Sequence, residues 1–223
     1  VMHAAARCFM KNRFLGSVYT IFFLLLVIGI VTQYAEKGFW VIWTSLVLGA
    51  FYLLPAILER ILHIIIPPLI KYAILAFLFL SLYMGGILSF YDRYDGWDTF
   101  IHLLSGFITP ALALSLINLL NGDPCTIRTL KPGFSFLFMV LFAAGVSLLW
   151  EYTEFLSDSL LGTNHLNDTR LDNGLVDIGL MDTLKDLICS QLASLLTSFW
   201  LYRTIRKEQW LCLSRILITK GRH

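Results

Sequence analysis

The chain has 223 residues, 57% hydrophobic and 14% charged, with a mean hydropathy of +0.74 and a formal net charge of +2. Soluble domains carry about 25% charged residues, so this composition argues against an ordinary soluble globule and for an all-α, polytopic membrane bundle forming one transmembrane domain over residues 1–223. The basic residues follow the ends of apolar segments and form no patterned groove, so nucleic-acid binding has no support.

A short basic stretch with Arg7, Lys11 and Arg13 opens the chain. Residues 15–34 follow with almost no charge, long enough to cross a bilayer and too long for a typical signal-peptide core, and are expected to be a retained signal anchor. A second span is expected over 39–58, entered through Trp40 and Trp43 as interfacial aromatics. Pro67-Pro68 interrupts any helix between Glu59 and Lys71, so a loop or short surface helix belongs there, with His63 at the interface. Further spans are expected over 72–91, 100–120, 134–156 and 180–202, about six in all. Gly85-Gly86 allows close packing in the third and Pro110 is expected to kink the fourth. The tail from Arg203 carries Trp210, Leu211, Leu213, Leu217 and Ile218 among basic residues, a pattern that predicts a surface helix.

The charges orient these spans. Of 17 Lys and Arg residues, 13 fall in the N-terminus, the loops after spans two and four, and the tail. By the positive-inside rule both termini are cytoplasmic. The acids divide the other way, 12 of 15 lying at or near the opposite face. Cys8, Cys125, Cys189 and Cys212 show neither CxxC nor zinc spacing, and no disulfide framework is expected. Phosphate-loop, GxSxG and HExxH motifs are absent.

The stretch most at odds with its surroundings is Trp150 to Asp158, where Glu151, Glu154 and Asp158 share a helix face at the end of an apolar segment. Asp95, Asp98 and His102 show the same i, i+3, i+7 spacing at the start of span four, and Asp182 and Asp186 open span six. A rise of 1.5 Å per residue sets His102 about 6 Å beyond Asp98, and Glu151 about 8 Å below the expected end of span five. Three helices therefore bring acids to one level. Ser105, Thr109, Ser147 and Ser190 continue these polar faces inward, as an outward-opening pocket would. Carboxylates about 4 Å apart repel by about 4 kcal/mol at an effective dielectric of 20, so several cannot share a pocket fully ionised without compensation. Lys185, Arg93 and Arg170 are the only basic side chains close in sequence. A divalent cation is the simplest neutraliser: Asp98, His102, Glu151, Glu154, Asp182 and Asp186 form the predicted ligand set. Oxygen donors suit Mg²⁺, Mn²⁺ or Ca²⁺, and the single imidazole also admits Zn²⁺ or Fe. Glu154 and Asp186 are the predicted catalytic groups, activating water or a hydroxyl. His165, in the polar loop 157–179, reads as an exposed loop histidine or a group closing over the site. The segment 163–174 offers no apolar face and is expected to be mobile.

In the second half of the chain, Asp98-x-x-x-His102-x-x-x-Gly106 is followed by Trp150-Glu151-x-x-Glu154-x-x-x-Asp158 and by Asp182-Thr183-x-x-Asp186. This succession resembles the bacterial YjdF-type and VanZ-like small membrane proteins. Where members of that group often carry a small residue, commonly Gly, after the last motif, this chain has Ala193 and Ser194. The resemblance implies a bacterial inner-membrane protein and assigns no activity, glycopeptide resistance being associated with the VanZ branch.

Together these features predict a membrane metal-dependent hydrolase or transferase acting on a lipid head group or a lipid-linked envelope intermediate. Two other readings are a cation- or proton-coupled transporter and a non-catalytic envelope-stress or resistance protein. The topology is directly testable by single-cysteine labelling. A membrane-impermeant reagent applied to intact cells should modify a cysteine at position 168 and spare one at 220; the reverse pattern would invert the orientation.

Overall fold

The structure, a computed structural model, describes residues 2–121, 126–177 and 179–220. Cys125 and Asp123, and the side chains of Arg7, Cys8, Lys11 and Arg13, lie outside the described residues. Helix α1 (Met2–Lys37) is followed, across the single residue Gly38, by α2 (Phe39–Ile61). Gly38 sits at φ +57°, a conformation glycine adopts without a side-chain penalty, which lets the chain reverse between the two helices. Strand β1 (Ile64–Ile65) comes next, and Pro68 then starts α3 (Pro68–Leu78). The missing N–H of Pro68 costs nothing in a first turn, so the Pro pair marks a helix start. Past Leu78 the helix widens into a nine-residue π segment, Phe79–Ile87.

A short α4 (Phe90–Arg93) leads to α5 (Trp97–Asn121), and α6 (Thr126–Thr129) to the 30-residue α7 (Pro132–Leu161). Strands β2 (Thr169–Arg170) and β3 (Val176–Asp177) form a hairpin before α8 (Leu180–Arg206), α9 (Trp210–Leu213) and β4 (Thr219–Lys220). Among the described residues, five helical segments are long and apolar enough to cross a membrane: Gly16–Lys37, Phe39–Ile61, Pro68–Ile87, Trp97–Asn121 and Pro132–Leu161. The sixth expected span, α8, has 27 residues and ample length but is less apolar. Its Ser190, Ser194 and Ser198 are buried against its neighbours, while Leu192, Leu196, Phe199 and Trp200 are exposed.

That inversion extends across the bundle. Val31, Leu46, Leu120, Leu141 and Leu160 lie outside, whereas His102, Thr109, Ser135, Ser147, Glu151 and Asp186 lie inside. A soluble fold would be strongly disfavoured with so much apolar surface in water; in lipid those side chains meet their own kind. The interior has two apolar clusters. One joins α1, α2 and the π segment through Phe22, Leu26, Leu48, Tyr52 and Tyr83. The other joins α5, α7 and α8 to the C-terminal segment through Leu114, Met139, Leu201, Leu213 and Ile216.

The tail departs from expectation. Leu213 at the end of α9 and Ile216, Leu217 and Ile218 beyond it are buried, and β4 pairs antiparallel with β1, Ile64 opposite Lys220. Ile218 donates its N–H to the buried Ser115 hydroxyl of α5 at 3.1 Å. The apolar residues that suggested a surface helix instead pack into the bundle, and Leu211 alone among those named stays exposed, at 85%. Beside this junction Lys71 Nζ meets Glu59 at 2.6 Å, and Glu59 also accepts the Ile66 N–H at 3.0 Å.

The three helices α5, α7 and α8 make the most extensive contact in the molecule. At their centre Gly106 lies against α8 so closely that a Cβ would overlap the Ser190 carbonyl oxygen and stand 2.8 Å from Ala193 Cβ. Gly106→Ala should therefore destabilise the protein by about 1–3 kcal/mol, the usual range for overpacking. Gly145, whose Cβ would meet nothing within 4 Å, is the control. Thermal unfolding in detergent should show a lower midpoint for Gly106→Ala and none for Gly145→Ala; equal midpoints would refute the close crossing.

Candidate functional site

The Gly106 crossing sets the register of the site. Helices α5 and α8 run parallel there, so the residues one turn nearer their N-termini, His102 and Asp186, come side by side. Helix α7 runs antiparallel: Ser147 and Ser190 share a hydrogen bond of 2.8 Å, and one turn further along α7 stands Glu151. His102 Nε2 lies 3.6 Å from Glu151 Oε1 and 3.8 Å from Asp98 Oδ1. Donor atoms of Asp98, His102 and Asp186 all fall within 4.8 Å of one another, as do those of His102, Glu151 and Glu154. His102 belongs to both groups.

His102, Glu151 and Asp186 are 4%, 4% and 2% exposed, yet His102 Nε2, Glu151 Oε1 and Asp186 Oδ1 take no hydrogen bond. The Thr99 and Thr183 hydroxyls stand near Asp186 and Glu151 without completing their shells. Buried polar atoms are almost always paired, and a buried carboxylate without partners is costly. Separations of 3.6 and 3.8 Å are too long for hydrogen bonds. They are close to the about 3–3.5 Å between neighbouring ligands on one ion with bonds of about 2.0–2.4 Å.

Glu154 is half-buried, accepts the Trp150 indole N–H at 2.8 Å, and lines a cavity of about 590 Å³. Asp98 lines the same cavity. Asp186 is enclosed behind them. Asp182, expected in the ligand set, is occupied elsewhere: Lys185 Nζ contacts it at 3.2 Å and Asn167 donates to its other oxygen. It falls in neither donor group. A turn further out on α8, it ties the loop to the helix beside the cluster. Asp95 is exposed in the turn before α5.

Asp158 has a part that spacing did not reveal. Because α7 runs on to Leu161, its carboxylate stands under the following loop and accepts from Thr163 Oγ1 at 2.6 Å, His165 N–H at 2.7 Å and Leu166 N–H at 2.9 Å. Gly179, at φ +71°, lets Leu166 pack so closely that a Cβ would strike its carbonyl oxygen. The segment expected to be mobile is therefore organised by polar side chains, and its Asn164, His165 and Asn167 roof the cavity. An Asp followed by Thr, Asn and His five to seven residues on was the available signal, an Asx-type anchor.

Fold and site together define an integral membrane helix bundle with an enclosed carboxylate–imidazole cluster near one end. The chain belongs to the DUF2238 family of predicted membrane proteins, which it matches over residues 14–207. It is similar to an uncharacterized protein of Thermotoga maritima, 28% identical over 139 residues, spanning 60% of this chain and 67% of that protein. No solved structure matches.

If Asp158 anchors the roof, Asp158→Ala should expose it. Limited proteolysis of purified protein should cut between 163 and 174 at least tenfold faster than in the parent chain, while Asp168→Ala, which removes a side chain outside this anchor, should leave the rate unchanged. Identical rates for all three would show that Asp158 does not hold the loop.

Proposed function

We propose that this protein holds a divalent cation among Asp98, His102, Glu151, Glu154 and Asp186 and uses it for chemistry on a lipid head group or lipid-linked envelope intermediate. The observation carrying this reading is the convergence of three buried, unpartnered donor atoms, His102 Nε2, Glu151 Oε1 and Asp186 Oδ1, from three helices. Four carboxylates and one imidazole make a hard, oxygen-rich set, favouring Mn²⁺, Mg²⁺ or Ca²⁺ over Zn²⁺. Asp186, closed off from the cavity, fits a ligand. Glu154 faces the cavity and keeps its indole partner, the position of a group that takes a proton from water or a hydroxyl. Its placement beside the helix ends suits a substrate whose reacting group sits at head-group depth. The motif resemblance to YjdF-type and VanZ-like proteins supports a place in the bacterial inner membrane, and the distribution of Lys and Arg supports both termini inside.

A carrier is the second reading. It is favoured by Thr109, Ser194 and Ser198, buried hydroxyls without partners beneath the cluster, which would suit a path for protons or water. The close packing at Gly106 leaves little room for that path, and the acids lie at one end rather than at the bilayer midplane.

Metal analysis of detergent-purified protein, with Mn²⁺ titration followed by electron paramagnetic resonance, tests the first reading. The parent chain should bind one ion, and Glu151→Gln should weaken binding at least tenfold while Asp168→Asn does not. A folded protein indifferent to Mn²⁺, Zn²⁺, Mg²⁺ and Ca²⁺ would leave a cluster neutralised by protons and would end the metal assignment.

A further inference from the structure

The cavity beside the cluster has a composition that the metal alone does not account for. One wall is the α7 face bearing Trp150, Thr153, Glu154 and Ser157. The other is the π segment, which presents Ser81, Leu82, Gly85 and Gly86, with Thr44 of α2 behind it. These walls face each other across the space and do not pack together to any extent. The π geometry and the paired glycines make this wall low. Gly85 has no room for a side chain, because a Cβ would collide with the Tyr91 ring. Gly86 is open, its nearest neighbour being Thr44 Cγ2 at 3.9 Å from a Cβ. Departures from α-helix of this kind concentrate at functional sites. At about 590 Å³ the space suits a small-molecule or head-group ligand.

Its charge is one-sided. Asp92, Asp98 and Glu154 line it, and among the described residues no Lys or Arg does. Lys37 stands at the rim, its Nζ donating to the Gly86 carbonyl at 2.7 Å, and Lys185 is paired with Asp182, so the three lining carboxylates outnumber the one lysine at the wall. Behind the cavity stand Glu151 and Asp186. A free phosphate would meet repulsion, whereas a cation would be drawn in, and the Trp150 and Tyr91 rings offer further surface to an ammonium.

We propose that this cavity binds the head group of a membrane amphiphile bearing a positively charged amine, whose chain leaves between α7 and the π segment. The inference rests on the cluster being a working centre and names the class of molecule that reaches it. The ammonium lies against Asp92, Glu154 and the aromatic rings, and the hydroxyls and amides of Thr153, Ser157 and Asn164 meet the neutral polar part.

The test uses full-length protein in a neutral detergent, loaded with Mn²⁺. Three short-chain probes are titrated below their own micelle concentrations: hexyltrimethylammonium, hexyl phosphate and hexyl glucoside. Binding is read by ligand-observed nuclear magnetic resonance and Mn²⁺ retention by paramagnetic resonance. The ammonium should bind at least tenfold more tightly than the other two. Gly86→Leu, which fills the open wall, should abolish that binding while Mn²⁺ affinity stays within twofold; Asp92→Asn should weaken it severalfold. Phosphate or glucoside binding as tight as the ammonium would overturn the assignment, as would ammonium binding untouched by Gly86→Leu. Selective ammonium binding, lost in Gly86→Leu, by a protein that takes up no Mn²⁺ would uphold the cavity assignment and remove the metal alone.

Discussion

The arrangement depends on how closely two parallel helices approach at Gly106. With no side chain there, α8 settles its Ser190 carbonyl and Ala193 against the α5 backbone. In lipid, where burying apolar surface gives helices no advantage over lipid contact, this backbone-level packing is a principal source of association. It also fixes rotation and height. One turn from the contact, the side chains facing the same seam are His102 and Asp186, and α7 fits its Ser147 and Glu151 into the remaining side. A larger residue at 106 would push α8 away and separate the donors it now holds together.

The membrane explains why such a centre can sit in the interior at all. Its polar groups have no better place to go: outside is hydrocarbon, which offers no hydrogen bonds. The bundle accordingly turns apolar side chains outward and keeps serines, threonines and acids within. Much of that polarity is ordinary helix pairing, as in the Ser147–Ser190 bond. The cluster differs because its buried atoms are left open.

Much of this was legible in the sequence. Apolar length gave the helices, since every uncharged stretch of about 20 residues has few alternatives in a membrane. Helical periodicity and rise gave the grouping, because they set both face and depth for His102, Glu151 and Asp186. The same arithmetic could not separate Asp182 from Asp186, one turn apart on one face; what distinguishes them is the loop, whose Asn167 reaches the outer one. Nor could an apolar pattern tell a surface helix from a segment folded into the bundle, since both need Leu and Ile in the same proportion. The tail was decided by a strand partner and by Ser115, both distant in the chain. The π segment leaves no periodic signature that nine residues would reveal.

The pairing of β1 with β4 ties residues at opposite ends of most of the chain, and the Ser115 contact closes a loop of 103 residues. Closing so long a loop carries an entropic cost, offset here chiefly by burying Leu213, Ile216, Leu217 and Ile218 against the bundle, with the strand pair and the hydrogen bond adding direction. Such a junction gains its stability only after the intervening helices have inserted and packed, when the ends already lie near each other. It is a clasp whose partners, Ser115 and the first strand, are brought together only by the folded bundle.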